Sequence, residues 1–285
     1  VSNESGNSYS AAWGDMDNDG DLDLFLTHYD SNLNALYQNN GDESFTKITT
    51  GPVASDTGKS LGVTWADIDN DNDLDIFVAN KGDDQQDFLY RNTGGGVFEK
   101  VTAGVVTADA MHSRGGAWGD YDNDGDFDLF ITVGNGANRL YRNNGGGTFE
   151  TVTAGAIVTD TADSYGACWF DYDNDGHLDL FVSNGAEDSR LYRNQGDGSF
   201  AKLSSGVLVT DGYLSRGAAA SDVDGDGDLD LLVLNGDLKK DYIYRNNTSD
   251  NPVNHWLSVR CKGHDATSIG ALVRVKAVIG GATVW

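Results

Sequence analysis

Asp15-Met16-Asp17-Asn18-Asp19-Gly20-Asp21-Leu22-Asp23 is the stretch on which the reading of this chain turns. It sets acidic side chains at loop positions 1, 3, 5 and 9 and a Gly at 6, then enters the apolar run Leu24-Phe25-Leu26. The same spacing returns at 67–75, 120–128, 171–179 and 222–230. Positions 1, 3, 5 and 9 are Asp in every copy: Asp15, Asp17, Asp19, Asp23; Asp67, Asp69, Asp71, Asp75; Asp120, Asp122, Asp124, Asp128; Asp171, Asp173, Asp175, Asp179; and Asp222, Asp224, Asp226, Asp230. Alternate carboxylates on a tight loop can converge on one hard cation, and Ca²⁺ takes about six to eight oxygens. Without a cation the same carboxylates repel one another. Asp, Asn and Gly are also ordinary turn residues, but a solvated acidic turn gives no reason for five copies with unchanged spacing.

The loop matches the first half of an EF-hand and then departs from it. An EF-hand needs a bidentate Glu at position 12 and flanking helices. Position 12 here is Leu26, Val78, Ile131, Val182 and Val233, inside apolar, β-branched runs, so each loop leads into a strand.

The first loop Asp recurs at 15, 67, 120, 171 and 222, in steps of 52, 53, 51 and 51 residues. Such a period indicates a propeller or another repeat array. A Ser stands seven residues before each first Asp (Ser8, Ser60, Ser113, Ser164, Ser215), and Trp13, Trp65, Trp118 and Trp169 stand two before it, with Ala220 in the fifth copy. After the loop come an apolar strand, a Leu-Tyr-Arg-Asn-type strand as at 140–143, a Gly-rich turn, and a last strand opening with Phe45, Phe98, Phe149 or Phe200. Strands A, B, C and D with the acidic loop between A and B make a four-stranded antiparallel blade. The chain is therefore predicted to be all-β, a β-propeller of five repeats. The expected form is a closed five-bladed ring with strand exchange at the seam, the alternative being part of a six- or seven-bladed ring. Packing of blade on blade would bury the Trp, Phe and Tyr series.

The chain has 285 residues, 37 Gly, 2 Pro and a formal charge of −26. Five bound Ca²⁺ would cancel ten of those charges, so metal binding would contribute folding energy. The remaining negative charge argues against nucleic acid or an anionic membrane as partner, and no apolar stretch reaches the length of a membrane span. The chain begins at Val1 with no signal peptide in view, which fits a mature or trimmed chain. Carboxylate loops of low affinity suit millimolar Ca²⁺ outside the cell. Cys168, in an apolar strand, is expected to be a buried free thiol, though pairing with Cys261 stays open. Sequons occur at Asn3-Glu4-Ser5, Asn246-Asn247-Thr248 and Asn247-Thr248-Ser249.

The fifth repeat loses its Gly-x-Phe turn and runs into Asn251-Pro252 and His255-Trp256-Leu257. Residues 1–247 are expected to form the calcium-binding repeats. Residues 248–285 are expected to form a C-terminal β segment that completes the last blade or stands apart, with the chain stopping inside that unit.

Trp118-Gly119-Asp120-Tyr121-Asp122-Asn123-Asp124-Gly125-Asp126-Phe127-Asp128-Leu129-Phe130 and Leu140-Tyr141-Arg142-Asn143-Asn144-Gly145 resemble the FG-GAP/VCBS repeat of integrin α-subunit heads and many secreted bacterial proteins. The resemblance runs from residue 8 to about 247, and 255–275 resembles the start of an ASPIC/UnbV segment. It implies one Ca²⁺ per loop, with the Asp residues above as ligands. It also implies a backbone carbonyl from position 7: Asp21, Asp73, Asp126, His177 and Asp228. The second loop has Asn72 where the others have Gly, so that site is expected to be kept but to be the most strained.

For function, the five His (His28, His112, His177, His255, His264) share no zinc spacing, and His28 and His112 are expected at the surface. No nucleophile elbow, Walker loop or Cys-x-x-Cys occurs. The first hypothesis is an extracellular or cell-surface adhesion or recognition module for glycan or protein. Its candidate surface is the set of B–C loops (28–34, 80–87, 134–138, 184–189, 235–241) and D–A connections such as 107–112 and 159–163. The second is a structural unit that self-assembles into a surface layer or filament, and the third a polysaccharide-active enzyme.

Overall fold

The computed structural model describes residues 6–30, 33–108, 110–210, 214–236, 239–247, 277–279 and 282–284. Each repeat folds as the spacing predicts. The first blade runs Ser8–Gly14, Asp23–His28, Ala35–Asn39 and Phe45–Lys47, hydrogen-bonded in chain order. The second is Ser60–Ala66, Asp75–Gln86, Phe88–Asn92 and Phe98–Lys100, and the third Ala110–Gly119, Asp128–Val133, Arg139–Asn143 and Phe149–Thr151. Ser164–Phe170, Asp179–Asn184, Arg190–Asn194 and Phe200–Lys202 form the fourth. The fifth has three described strands, Ser215–Ser221, Asp230–Asn235 and Tyr242–Tyr244.

The core lies between blades more than within them. Phe25 of the first blade clusters with Ile76, Val78 and Tyr90 of the second, and the arrangement repeats down to Phe181 with Leu231 and Val233. Each interior Trp of strand A meets the strand B Phe of the blade before it edge-on: Trp65 on Phe25 at 6.5 Å, Trp118 on Phe77 at 6.4 Å, Trp169 on Phe130 at 6.3 Å. Neighbouring A strands lie side by side. At Gly62 they come so close that an added Cβ would sit 2.7 Å from Gly115 Cα, so no larger residue fits there. The tyrosines of strand C (Tyr37, Tyr90, Tyr141, Tyr192) are buried as expected.

The completion of the seam between the fifth and first blades falls on residues outside the described ones. Other expectations are corrected. Trp13, on the first described blade, is 54% exposed, and Leu232, which holds the place of the buried Phe series, is 37% exposed. The segment 80–87 is largely strand rather than loop: Asp75–Gln86 runs on and pairs with the third blade at Lys81↔His112 and Gln86↔Ala110. The D–A connections hold short helical turns at Pro52–Ser55, Ala156–Thr159 and Val207–Val209, whose Val53, Ile157 and Val209 plug the interblade cores. His28 is buried at 2% exposure, its Nδ1 2.7 Å from the Leu33 carbonyl, because it ends strand B under Gly6.

Cys168 is half-buried and unpaired among the described residues, and burial raises its thiol pKa. Cys261, the ASPIC/UnbV-like stretch 255–275 and the completion of the last blade lie outside the described residues. Ala277–Ile279 and Ala282–Val284 form an antiparallel hairpin.

Candidate metal centres

Each acidic loop closes on itself through its own carboxylates. In the first, Asp15 accepts the N–H groups of Asp19 and Gly20 at 3.1 and 3.0 Å, and Asp19 accepts that of Asp21 at 2.9 Å. The second, third and fourth loops repeat these bonds. Position 9 is the buried anchor. Asp23 accepts the N–H of Met16 and, across the sheet, that of Asn39, both at 2.8 Å. Asp75, Asp128, Asp179 and Asp230 do the same in their blades. A loop of this curvature needs left-handed backbone. Gly20, Gly125, Gly176 and Gly227 supply it at position 6, and Asn72 takes φ +71° there while still donating to Asp67 at 2.9 Å.

The carboxylates converge. In the first two loops, oxygens of positions 1, 3 and 5 (Asp15, Asp17, Asp19; Asp67, Asp69, Asp71) lie within 4.8 Å of one another. In the other three, the converging oxygens belong to positions 1, 3 and 9 (Asp120, Asp122, Asp128; Asp171, Asp173, Asp179; Asp222, Asp224, Asp230). Oδ1 of Asp17, Asp69, Asp122 and Asp173 is buried with no hydrogen-bond partner. A buried carboxylate oxygen without a donor is costly unless a cation completes it, so the donor set fits a hard cation. The electrostatics agree. Burial pushes Asp23 up to about 6 and Asp75, Asp128 and Asp179 up to about 7, against the backbone hydrogen bonds that lower them. Asp122 and Asp173 are raised by burial and then by their acidic neighbours, while the facing Arg pulls them down.

The position 7 side chains Asp73, Asp126, His177 and Asp228 turn away toward the loop of the preceding blade. That leaves their backbone carbonyls as the groups that could face a cation.

Sequence reasoning missed the partners on strand C. Gln38 donates to Asp17 at 2.6 Å. Arg91 pairs with Asp69, Arg142 with Asp122 at 3.2 Å, Arg193 with Asp173 at 2.6 Å, and Arg245 with Asp224 at 3.2 Å. These Arg orient the position 3 carboxylate and offset part of its charge. The signal in the sequence is the Tyr-Arg-Asn repeated at 90–92, 141–143, 192–194 and 244–246.

On the opposite face, the first three expected recognition loops are tied to the segment that leads into the next blade. Leu33 bridges Thr57, and Gly136–Ala137 pairs with Thr161–Ala162. The Tyr165 ring has the Arg114 guanidinium 3.6 Å from its centre and that of Arg216 at 4.1 Å, and Arg114 also pairs with Asp163 at 2.6 Å.

The family described as FG-GAP-like repeat matches residues 15–78, 67–131, 120–182 and 171–233. Cartilage acidic protein 1 of Homo sapiens is 30% identical over 246 residues, which cover 80% of this chain and 36% of that protein. The Xenopus tropicalis protein of the same name is 28% identical over 236 residues, covering 76% and 34%. The chain thus spans about a third of the length of these relatives. Among solved structures, Aleuria aurantia lectin in complex with α-methyl-L-fucoside aligns at 12% identity and TM-score 0.49, over 84% of this chain and 79% of that one, a likeness to which no functional weight attaches. The overlapping matches follow one another from the first acidic loop to strand B of the fifth blade, so this chain belongs to the FG-GAP-like repeat family.

Proposed function

We propose that this chain is a calcium-stabilised recognition module that works outside the cell and binds glycan or protein through the face opposite its metal loops. The observation that carries the metal is the set of buried, donor-free Oδ1 atoms on Asp17, Asp69, Asp122 and Asp173, each within a converging carboxylate cluster. One Ca²⁺ per loop is held by positions 1, 3, 5 and 9 together with the position 7 carbonyl. Residues 1–247 form this module. Relatives named for an acidic protein of cartilage support the extracellular setting, as does the fit of such loops to millimolar calcium.

The recognition face is the side of the B–C loops and D–A connections, where the five copies differ most. Its supports are the bridges that pin those loops to the next blade, since loops held on a rigid scaffold are where binding concentrates. The reading is non-enzymatic, because the acids that could serve as an acid/base pair are engaged in the loops and His28 is packed inside. A glycan and matrix-protein array probed with and without calcium tests it. Binding that disappears with EDTA is expected, and an array blank in both conditions would refute the recognition role.

The exposed apolar flanks favour one second reading, self-assembly. Trp13 and Tyr9 on the first blade and Leu232, Leu234 and Ile243 on the fifth face outward. Light scattering across a concentration series separates the two, since a module acting alone stays monomeric.

A further inference from the structure

We infer that the five calcium loops fill as one coupled line, each loop passing order to the next through two asparagine ties; this rests on the calcium reading above. The forward tie starts from position 4. Asn18 Nδ2 donates to Asp73 Oδ1 of the second loop at 2.7 Å and to the Asn72 carbonyl at 3.2 Å. Asn70 reaches Asp126 at 2.5 Å, and Asn174 reaches Asp228 at 2.6 Å. Asn123 lies 3.0 Å from His177 Nδ1 and donates to the Gly176 carbonyl at 3.2 Å.

The return tie comes from strand C of the later blade. Asn92 Nδ2 donates to the Met16 carbonyl, Asn143 to that of Ile68, Asn194 to that of Tyr121 and Asn246 to that of Tyr172, each at 2.7 Å. Both ties recur at all four junctions between loops. The fifth loop carries Gly225 at position 4 in place of Asn.

The ties grip the parts of a loop that binding must order. The forward tie holds the position 7 residue, whose carbonyl is the group assigned to the ion above, and in two junctions also the peptide before it. The return tie holds the carbonyl of position 2, between the ligands at positions 1 and 3. The four position 4 asparagines have φ of 57–60°, a conformation fixed by the wrap of the loop around its centre. A filled loop therefore presents its Asn in place, and the next loop loses less freedom on binding. By linkage the effect runs equally in the other direction.

The test replaces all four position 4 residues in the full chain: Asn18→Gly, Asn70→Gly, Asn123→Gly and Asn174→Gly. Gly takes positive φ without strain and copies position 225, so the loops keep their shape and lose only the amide. Calorimetric calcium titration of metal-stripped wild type is expected to show five ions filling with a Hill slope above 1. The variant is expected to bind five ions with a slope near 1 and a midpoint raised about fivefold, the low end of coupling between linked sites. Five ions with an unchanged slope in the variant would overturn the coupling while leaving the calcium sites standing. No calcium uptake by the wild type would overturn both.

A second readout uses Asp175→Asn, which disables the fourth loop. At subsaturating calcium, hydrogen exchange is expected to quicken in 120–128 and 222–230 more than in 15–23. Equal change in all three would again count against the coupling.

Discussion

Asp87 is a buried carboxylate that no metal loop uses. It is 1% exposed and accepts the Asn80 N–H at 2.7 Å and the Ser113 hydroxyl at 2.7 Å. Burial pushes its pKa up to about 7, against these two hydrogen bonds. Because the folded value lies above the ordinary carboxylate range, the folded state gains protons relative to the unfolded chain. The destabilisation from this group is therefore full above pH 7 and fades as pH falls toward 4. The equivalent residue of the first blade is Asn34, whose Oδ1 accepts the His28 N–H and whose Nδ2 donates to Ser60. Asp87→Asn should reproduce that pattern. Calorimetry in saturating calcium is expected to show a gain of about 1–2 kcal/mol at pH 8, smaller at pH 5 and almost none at pH 4. Asp122→Ala acts at the same scale on a predicted ligand. One ion fewer should bind, with a loss of about 3 kcal/mol at a hundredfold excess of calcium over Kd, and an unchanged ion count by native mass spectrometry would remove Asp122 from the ligand set.

Strand A shows what a blade gains from its neighbour. Trp118 packs on Phe77 and Phe149, whereas among the described residues the ring of Trp13 meets Phe45 of its own blade. Trp118→Ala should cost about 2–3 kcal/mol and Trp13→Ala under about 1 kcal/mol in urea denaturation; equal costs would mean that the interblade contact contributes little. The strands were legible because each is bounded by residues with local work to do: Ser60 and Trp65 around strand A, the Asp loop before strand B, the Gly turn before Phe98. The elements that escaped depend on partners far along the chain. Lys81 and Gln86 extend a strand only because His112 and Ala110 of the next blade are there to pair. Val53 and Ile157 sit in helical turns because an interblade gap receives them, and no local period announces a gap. The loop Asp residues could be found from spacing alone, but Arg91, Arg142, Arg193 and Arg245 reach them across the sheet, a relation that linear spacing hides.

At the scale of the molecule, charge sets the conditions for folding. The formal charge is −26, and twenty of the 45 acids stand at loop positions 1, 3, 5 and 9. Stripping the metal leaves three of those carboxylates in each loop facing one another across less than 5 Å. EDTA should therefore lower the melting temperature by 10 °C or more, on the order of 3–5 kcal/mol at about 2–4 °C per kcal/mol, and high NaCl should restore part of the loss by screening. A melt indifferent to chelator would remove calcium from the account. The asparagine ties carry one more consequence, for how such a chain can lengthen or shorten. Every interior repeat shows an Asn donor to its successor and a position 7 acceptor to its predecessor, Asp73, Asp126 or His177. One period could then be duplicated or deleted and the new junction would still find its hydrogen bonds ready-made, while the fifth repeat, with Gly225 at position 4, could not be moved inward without losing a forward tie.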